Sequence, residues 1–145
     1  VLKNPDMKLL ILNGPNLNLT GEREPDLYGT RSFEDYLDEL RRKYQETDIL
    51  YFQSNVEGEI INKMQEANLQ VDGLILNAGA YTHTSIAIGD AVSSLKIPVV
   101  EVHISNVFSR ESFRQISHIA PYCKGVISGF GLESYSLAIE YFQNN

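Results

Sequence analysis

Cysteine is nearly missing from this 145-residue chain: Cys123 stands alone, which excludes an internal disulfide and a thiolate metal cluster. Long apolar runs are missing as well. None approaches the roughly 18–20 residues that a membrane-spanning helix needs, so no membrane partner is expected. Basic blocks are absent and the formal net charge is −7, whereas nucleic-acid binding needs clustered Lys and Arg to neutralise phosphates. Nucleic acid is therefore not expected as a partner, and an anionic ligand must be held by locally placed cations. His83, His103 and His118 have no ligand spacing of the His-Glu-x-x-His kind, so no metal is expected. Gly129-Phe130-Gly131 lacks the third glycine of a dinucleotide fingerprint, and close packing is the expected reason for the pair. No repeat, low-complexity tract, linker or signal-peptide pattern appears, so a cytoplasmic protein with one domain is expected.

What is present fits a soluble globular domain, with 43% hydrophobic and 21% charged residues. Residues 1–6 carry no periodic pattern and are expected to be a frayed end or an expression remnant, leaving 7–145 as a single domain. The apolar run 9–12 stops at Asn13-Gly14-Pro15-Asn16 and predicts a buried strand. Ser32 then caps a helical pattern with Phe33, Tyr36, Leu37, Leu40 and Tyr44 on one face. Strands are predicted again over 49–53, 73–77, 98–103 and 125–128. Helices follow them over 58–69, about 84–95, a short stretch carrying Arg110 and Arg114, and 132–142. Apolar runs without alternation belong to strands covered on both sides. The pattern predicts an α/β, flavodoxin-like fold: a five-stranded parallel sheet with helices on both faces.

Ligands of such sheets sit beyond the carboxyl ends of the strands, where this chain places Asn13, Asn16, Asn77, His83, His103 and Ser105. Strand side chains alternate, so Glu101, His103 and Ser105 share one side while Val100, Val102 and Ile104 take the other. A carboxylate two residues from a histidine can bond one ring nitrogen and support the imidazolium, leaving the other nitrogen to move a proton. Arg110 and Arg114 follow, four apart, and supply cations. The loop after the first strand is long for its type, and it carries a permanent cation, Arg23, and a phenol, Tyr28. Bringing a phenol from about 10 to near 7 needs roughly 4 kcal/mol, which a cation at about 4 Å supplies at an effective dielectric of about 20.

Four motifs together closely resemble type II 3-dehydroquinate dehydratases. They are Leu12-Asn13-Gly14-Pro15-Asn16-Leu17, then Arg23-Glu24-Pro25-x-x-Tyr28-Gly29, then Leu76-Asn77-Ala78-Gly79-Ala80-Tyr81-Thr82-His83-Thr84-Ser85, and lastly Glu101-Val102-His103-Ile104-Ser105-Asn106-Val107 with Arg110 and Arg114. The resemblance runs from about Met7 to Phe142. It implies dehydration of 3-dehydroquinate to 3-dehydroshikimate by anti elimination in the shikimate pathway, with no cofactor or metal, in a dodecamer built as a tetramer of trimers. It further implies Tyr28 as proton acceptor, Arg23 as its activator, Asn16 as holder of a water at the enolate, and His103, oriented by Glu101, as proton donor. Asn77 would position the substrate. The amides of Ile104 and Ser105 would take its carboxylate, His83, Asp90 and Arg114 its ring hydroxyls, and Arg110 would belong to the lid and its surroundings. None of the six lysines falls in these motifs, so a Schiff-base route has no candidate nucleophile.

The chain departs from the family pattern at Val56, Ala80, Gly89 and Glu133-Ser134. Gly89 inside a helix is expected to cost about 1 kcal/mol relative to alanine and removes a charge beside Asp90. Two other classes share the sheet plan. A phosphoryl-accepting receiver needs acids and a lysine where Asn13, Asn77 and Ser128 stand. A flavin carrier needs a backbone donor that Pro15 deletes.

Overall fold

A computed structural model describes residues 7–22, 26 and 30–145; the expectations for residues 1–6, Arg23 and Tyr28 lie outside the described residues. The strands are β1 (Lys8–Asn13), β2 (Asp48–Gln53), β3 (Gly73–Asn77), β4 (Val99–His103) and β5 (Gly125–Ser128). Between them run the helices α1 (Phe33–Lys43), α2 (Glu57–Ala67) and α3 (Ile86–Ser94), and α4 (Glu133–Gln143) follows β5. The strands form one parallel sheet in the order β2-β1-β3-β4-β5. The chain order reverses at β1, which β2 and β3 flank, and this is where such sheets open a crevice.

Alternation along each strand sends apolar side chains to two cores. Leu9, Ile11, Ile75, Val100 and Val102 pack with Phe33, Leu37 and Leu40 of α1 and Tyr135, Ile139 and Phe142 of α4. On the opposite face Leu10, Leu12, Leu74, Leu76 and Val99 pack with Ile60 and Met64 of α2 and Ile88 and Val92 of α3. Each such side chain taken out of water contributes roughly 1.5–3 kcal/mol, so covering both faces is what holds the sheet. The five-stranded parallel sheet with helices on both sides is the predicted architecture. Among the described residues no helix is long and apolar enough to cross a membrane.

Ser32 caps α1 as expected, its hydroxyl accepting from Asp35 N at 3.2 Å. The third helix starts later than the pattern predicts. Residues Gly79–His83 form a separate 3-10 turn, and the Ser85 hydroxyl, accepting from Ile88 N at 2.9 Å, caps α3 beyond it. The single arginine-bearing helix is also corrected: Val107–Ser109 and Ser112–Gln115 are two 3-10 turns, with Arg110 extended between them. The Asn106 side chain accepts from Phe108 N at 3.1 Å, which starts the first turn and leaves no continuous helical face for the two arginines.

Two glycine expectations change. Gly129 and Gly131 both sit at positive φ, 101° and 63°; a Cβ on Gly129 would also press on Asn106, as expected, whereas one on Gly131 would meet nothing, so backbone conformation, not packing, selects Gly131. Gly89 is more than a weak helix former, because a Cβ there would collide with the His118 carbonyl oxygen. Gly89→Ala should therefore destabilise the fold by about 1–3 kcal/mol despite alanine's better helix propensity. Urea denaturation checks this, and a stabilised variant would contradict the packing argument.

Candidate active site

The carboxyl ends of β1, β3 and β4 stand side by side, with Asn13 paired in register to Asn77 and Leu76 to Glu101. Beyond them a polar cleft is lined by Asn16, Asn77, His83, His103, Ile104, Ser105, Arg110 and Arg114. Eight of the sequence-predicted site residues thus converge, although they span nearly a hundred positions of the chain. Glu101 stands directly behind His103. Asp90 does not join the cleft; it is exposed on α3.

Val100 and Val102 anchor β4 in one core, and the strand period turns Glu101 and His103 the other way. Glu101 is 1% exposed, and its Oε2 lies 2.5 Å from His103 Nε2. Its second oxygen, Oε1, accepts from the Ser117 hydroxyl at 2.8 Å. The carboxylate is thus held at both ends, and the other His103 nitrogen, Nδ1, is left to exchange a proton. The His83 ring stacks near His103, with centroids 6.1 Å apart. Burial holds the His83 pKa below the ordinary histidine value, so the ring is neutral, donates from Nδ1 to Ile116 O at 2.8 Å, and offers Nε2 as an acceptor.

Asn77 is fixed by a buried chain of hydrogen bonds. Its Nδ2 donates to Tyr135 Oη at 2.9 Å, and its Oδ1 accepts from Gly79 N at 3.1 Å. Tyr135 in turn donates to Asn13 Oδ1 at 2.7 Å. Burial pushes the Tyr135 phenol far above its ordinary range, which keeps it a donor. One Asn77 N–H remains for a ligand. Tyr135→Phe should lower kcat/KM by about tenfold and destabilise the fold by about 1–3 kcal/mol, because Asn13 loses its buried donor. Steady-state kinetics with a denaturation curve checks both effects, and an unaltered kcat/KM would mean that Asn77 needs no such support.

Asn16 takes a left-handed conformation, with φ of 69°, and its N–H donates to Asn55 Oδ1 at 2.9 Å. Gln53 Nε2 donates to the same oxygen at 3.1 Å. Arg110 Nη1 donates to the Ser105 hydroxyl at 3.2 Å, which puts Arg110 in the wall of the cleft. Arg114 lies over the Phe113 ring and pairs with Glu111 at 3.2 Å. Two guanidinium groups thus face the cleft of an otherwise acidic chain, as an anionic ligand requires. Sequence reading missed Ser117, Tyr135, Gln53 and Asn55 as supports, and no local pattern marks them. His103 also borders a second, larger groove of about 900 Å³, walled by Val126, Phe130 and Leu137. Among the described residues no three His, Cys, Asp or Glu gather as a metal would require.

Residues 7–143 match the family model described as "Dehydroquinase class II". Similar curated proteins include the 3-dehydroquinate dehydratase of Nitratiruptor sp., 53% identical over 135 residues, which are 92% of this chain and 86% of that protein. The 3-dehydroquinate dehydratase of Exiguobacterium sp. is 54% identical over 143 residues, covering 95% of this chain and 98% of that one. The crystal structure of the type II dehydroquinase from Butyrivibrio crossotus matches with a TM-score of 0.92 at 45% identity, over 97% of this chain and 99% of the other.

Proposed function

The chain belongs to the class II dehydroquinase family, and on that premise we propose that it dehydrates 3-dehydroquinate to 3-dehydroshikimate in the shikimate pathway. The reaction is a reversible anti elimination through an enolate. The observation that carries this reading is the buried Glu101–His103 pair, 2.5 Å apart, opening on a cleft that also holds Asn77, Ser105 and two arginines. That arrangement suits a small anionic polyol from which a hydroxyl must leave with a proton.

Tyr28, as a tyrosinate whose pKa Arg23 lowers, takes the C2 proton, which is acidic because the neighbouring carbon is a ketone. The electron pair becomes an enolate, steadied through a water held by Asn16. Collapse of the enolate forms the C1–C2 double bond and breaks the C1–O bond, and the imidazolium of His103, paired with Glu101, protonates the departing oxygen. Asn77 offers its remaining N–H near that hydroxyl. The amides of Ile104 and Ser105 take the carboxylate, with Arg110 alongside. His83 Nε2 accepts from a ring hydroxyl, and Arg114 donates to another. Asp90 stands outside its own cleft, so its part in hydroxyl recognition goes with assembly: it serves a neighbouring copy in a dodecamer of four trimers. Residues 7–145 act as one catalytic domain in the cytoplasm, without cofactor or metal and without nucleic-acid or membrane partners.

The product is a conjugated enone and the substrate is not. Adding 3-dehydroquinate to the purified protein in the presence of a chelator should raise enone absorbance in the ultraviolet at the same rate as without it. Absorbance that stays flat would reject the assignment.

A further inference from the structure

We infer that Ser117 is a positioning residue that keeps Glu101 ionised, and through it keeps His103 in the proton-donating form. The inference rests on the reading of His103 as the acid and extends it by one residue. A hydroxyl has one proton to give and two lone pairs to receive with. Both receiving places on Ser117 Oγ are filled, by Ile119 N at 3.2 Å and Ala120 N at 3.0 Å. Its proton therefore goes to Glu101 Oε1, 2.8 Å away. An oxygen that accepts in this way carries no proton of its own, so any proton on the carboxyl lies at Oε2, against His103 Nε2.

The position of that proton decides what His103 can do. Glu101 is 1% exposed, and a carboxylate out of water tends to neutralise itself by taking a proton. Donation from Ser117, strengthened by the two amides behind it, offsets that tendency and leaves the proton on nitrogen. The ring is then an imidazolium whose Nδ1–H is a strong donor. Without Ser117 the proton moves to Oε2, and Nδ1–H belongs to a neutral ring, a far weaker acid. The other titratable groups around the pair do not substitute. Burial and the Glu101 charge push the Cys123 thiol up to about 12, which keeps it neutral. His83 is a neutral ring, and Arg114 lines the groove as a permanent cation that also pairs with Glu111.

The test combines kinetics with the nitrogen-15 spectrum of His103. Ser117→Ala should lower kcat by about 10- to 100-fold, the worth of one hydrogen bond to a charged group, with KM within about twofold. Its His103 Nε2 resonance should move from the protonated toward the unprotonated position, whereas Ser117→Thr, which keeps the hydroxyl, should restore both. Ser117→Cys, nearly isosteric with a weak donor, gives the same readout if the alanine variant is unstable. In a Glu101→Gln background, Ser117→Ala should lower kcat no further. An unmoved Nε2 resonance in the variants that lack the hydroxyl, or an equal additional loss of kcat in that background, would overturn the inference. The spectrum is read without substrate, so it separates failure of this role from failure of the substrate assignment.

Discussion

Replacing Tyr28 by phenylalanine should lower kcat by about 10²- to 10⁴-fold, the usual worth of a positioned general base, while affinity for the product stays near native. Only the proton acceptor is deleted; the ring and its apolar surface remain. At 1.36 kcal/mol per tenfold, that loss corresponds to roughly 3–5 kcal/mol of transition-state stabilisation. Steady-state rates with product binding by calorimetry check it. A variant that turns over at nearly the native rate would remove Tyr28 from the mechanism, and one that loses binding in proportion to rate would make it a binding residue.

His103→Ala should be comparably severe, about 10²- to 10⁴-fold in kcat, because the departing hydroxyl loses its proton donor. A second effect sharpens the prediction. Removing His103 leaves Glu101, 1% exposed, without the ring that faces Oε2, so the variant should also be destabilised. Steady-state rates and urea denaturation read the two effects separately. A variant with near-native kcat would assign the acid to another group.

Much of this was legible in the sequence because it is written in local patterns. The run at 9–12 and the β-branched residues of β4 announce buried strands, and the period of two puts Glu101 and His103 on the side away from Val100 and Val102. Ser32 and the spacing of Phe33, Leu37 and Leu40 announce α1. What was not legible depends on contacts between distant residues. Ser117 reaches Glu101 across 16 positions and Tyr135 reaches Asn77 across 58, and no periodicity encodes either bond. The reason for Gly89 lies in the carbonyl of His118, on another segment. The Arg110 segment failed differently: Asn106 caps a single 3-10 turn there, and Arg110, extended at φ −111° and ψ −164°, ends it before a longer helix forms, whereas spacing alone favoured one helix. The departures from the family pattern at Val56 and Ala80 have no explanation in the packing around them.

The central claim is that a base and an acid act on opposite faces of one ring, and the stereochemistry of hydrogen loss tests it most directly. In 3-dehydroquinate labelled with deuterium at a single C2 position, the label anti to the C1 hydroxyl should be lost and the label syn to it retained, as read by mass spectrometry of the 3-dehydroshikimate formed. Retention of the anti label with loss of the syn one would place acid and base on the same face and contradict the account.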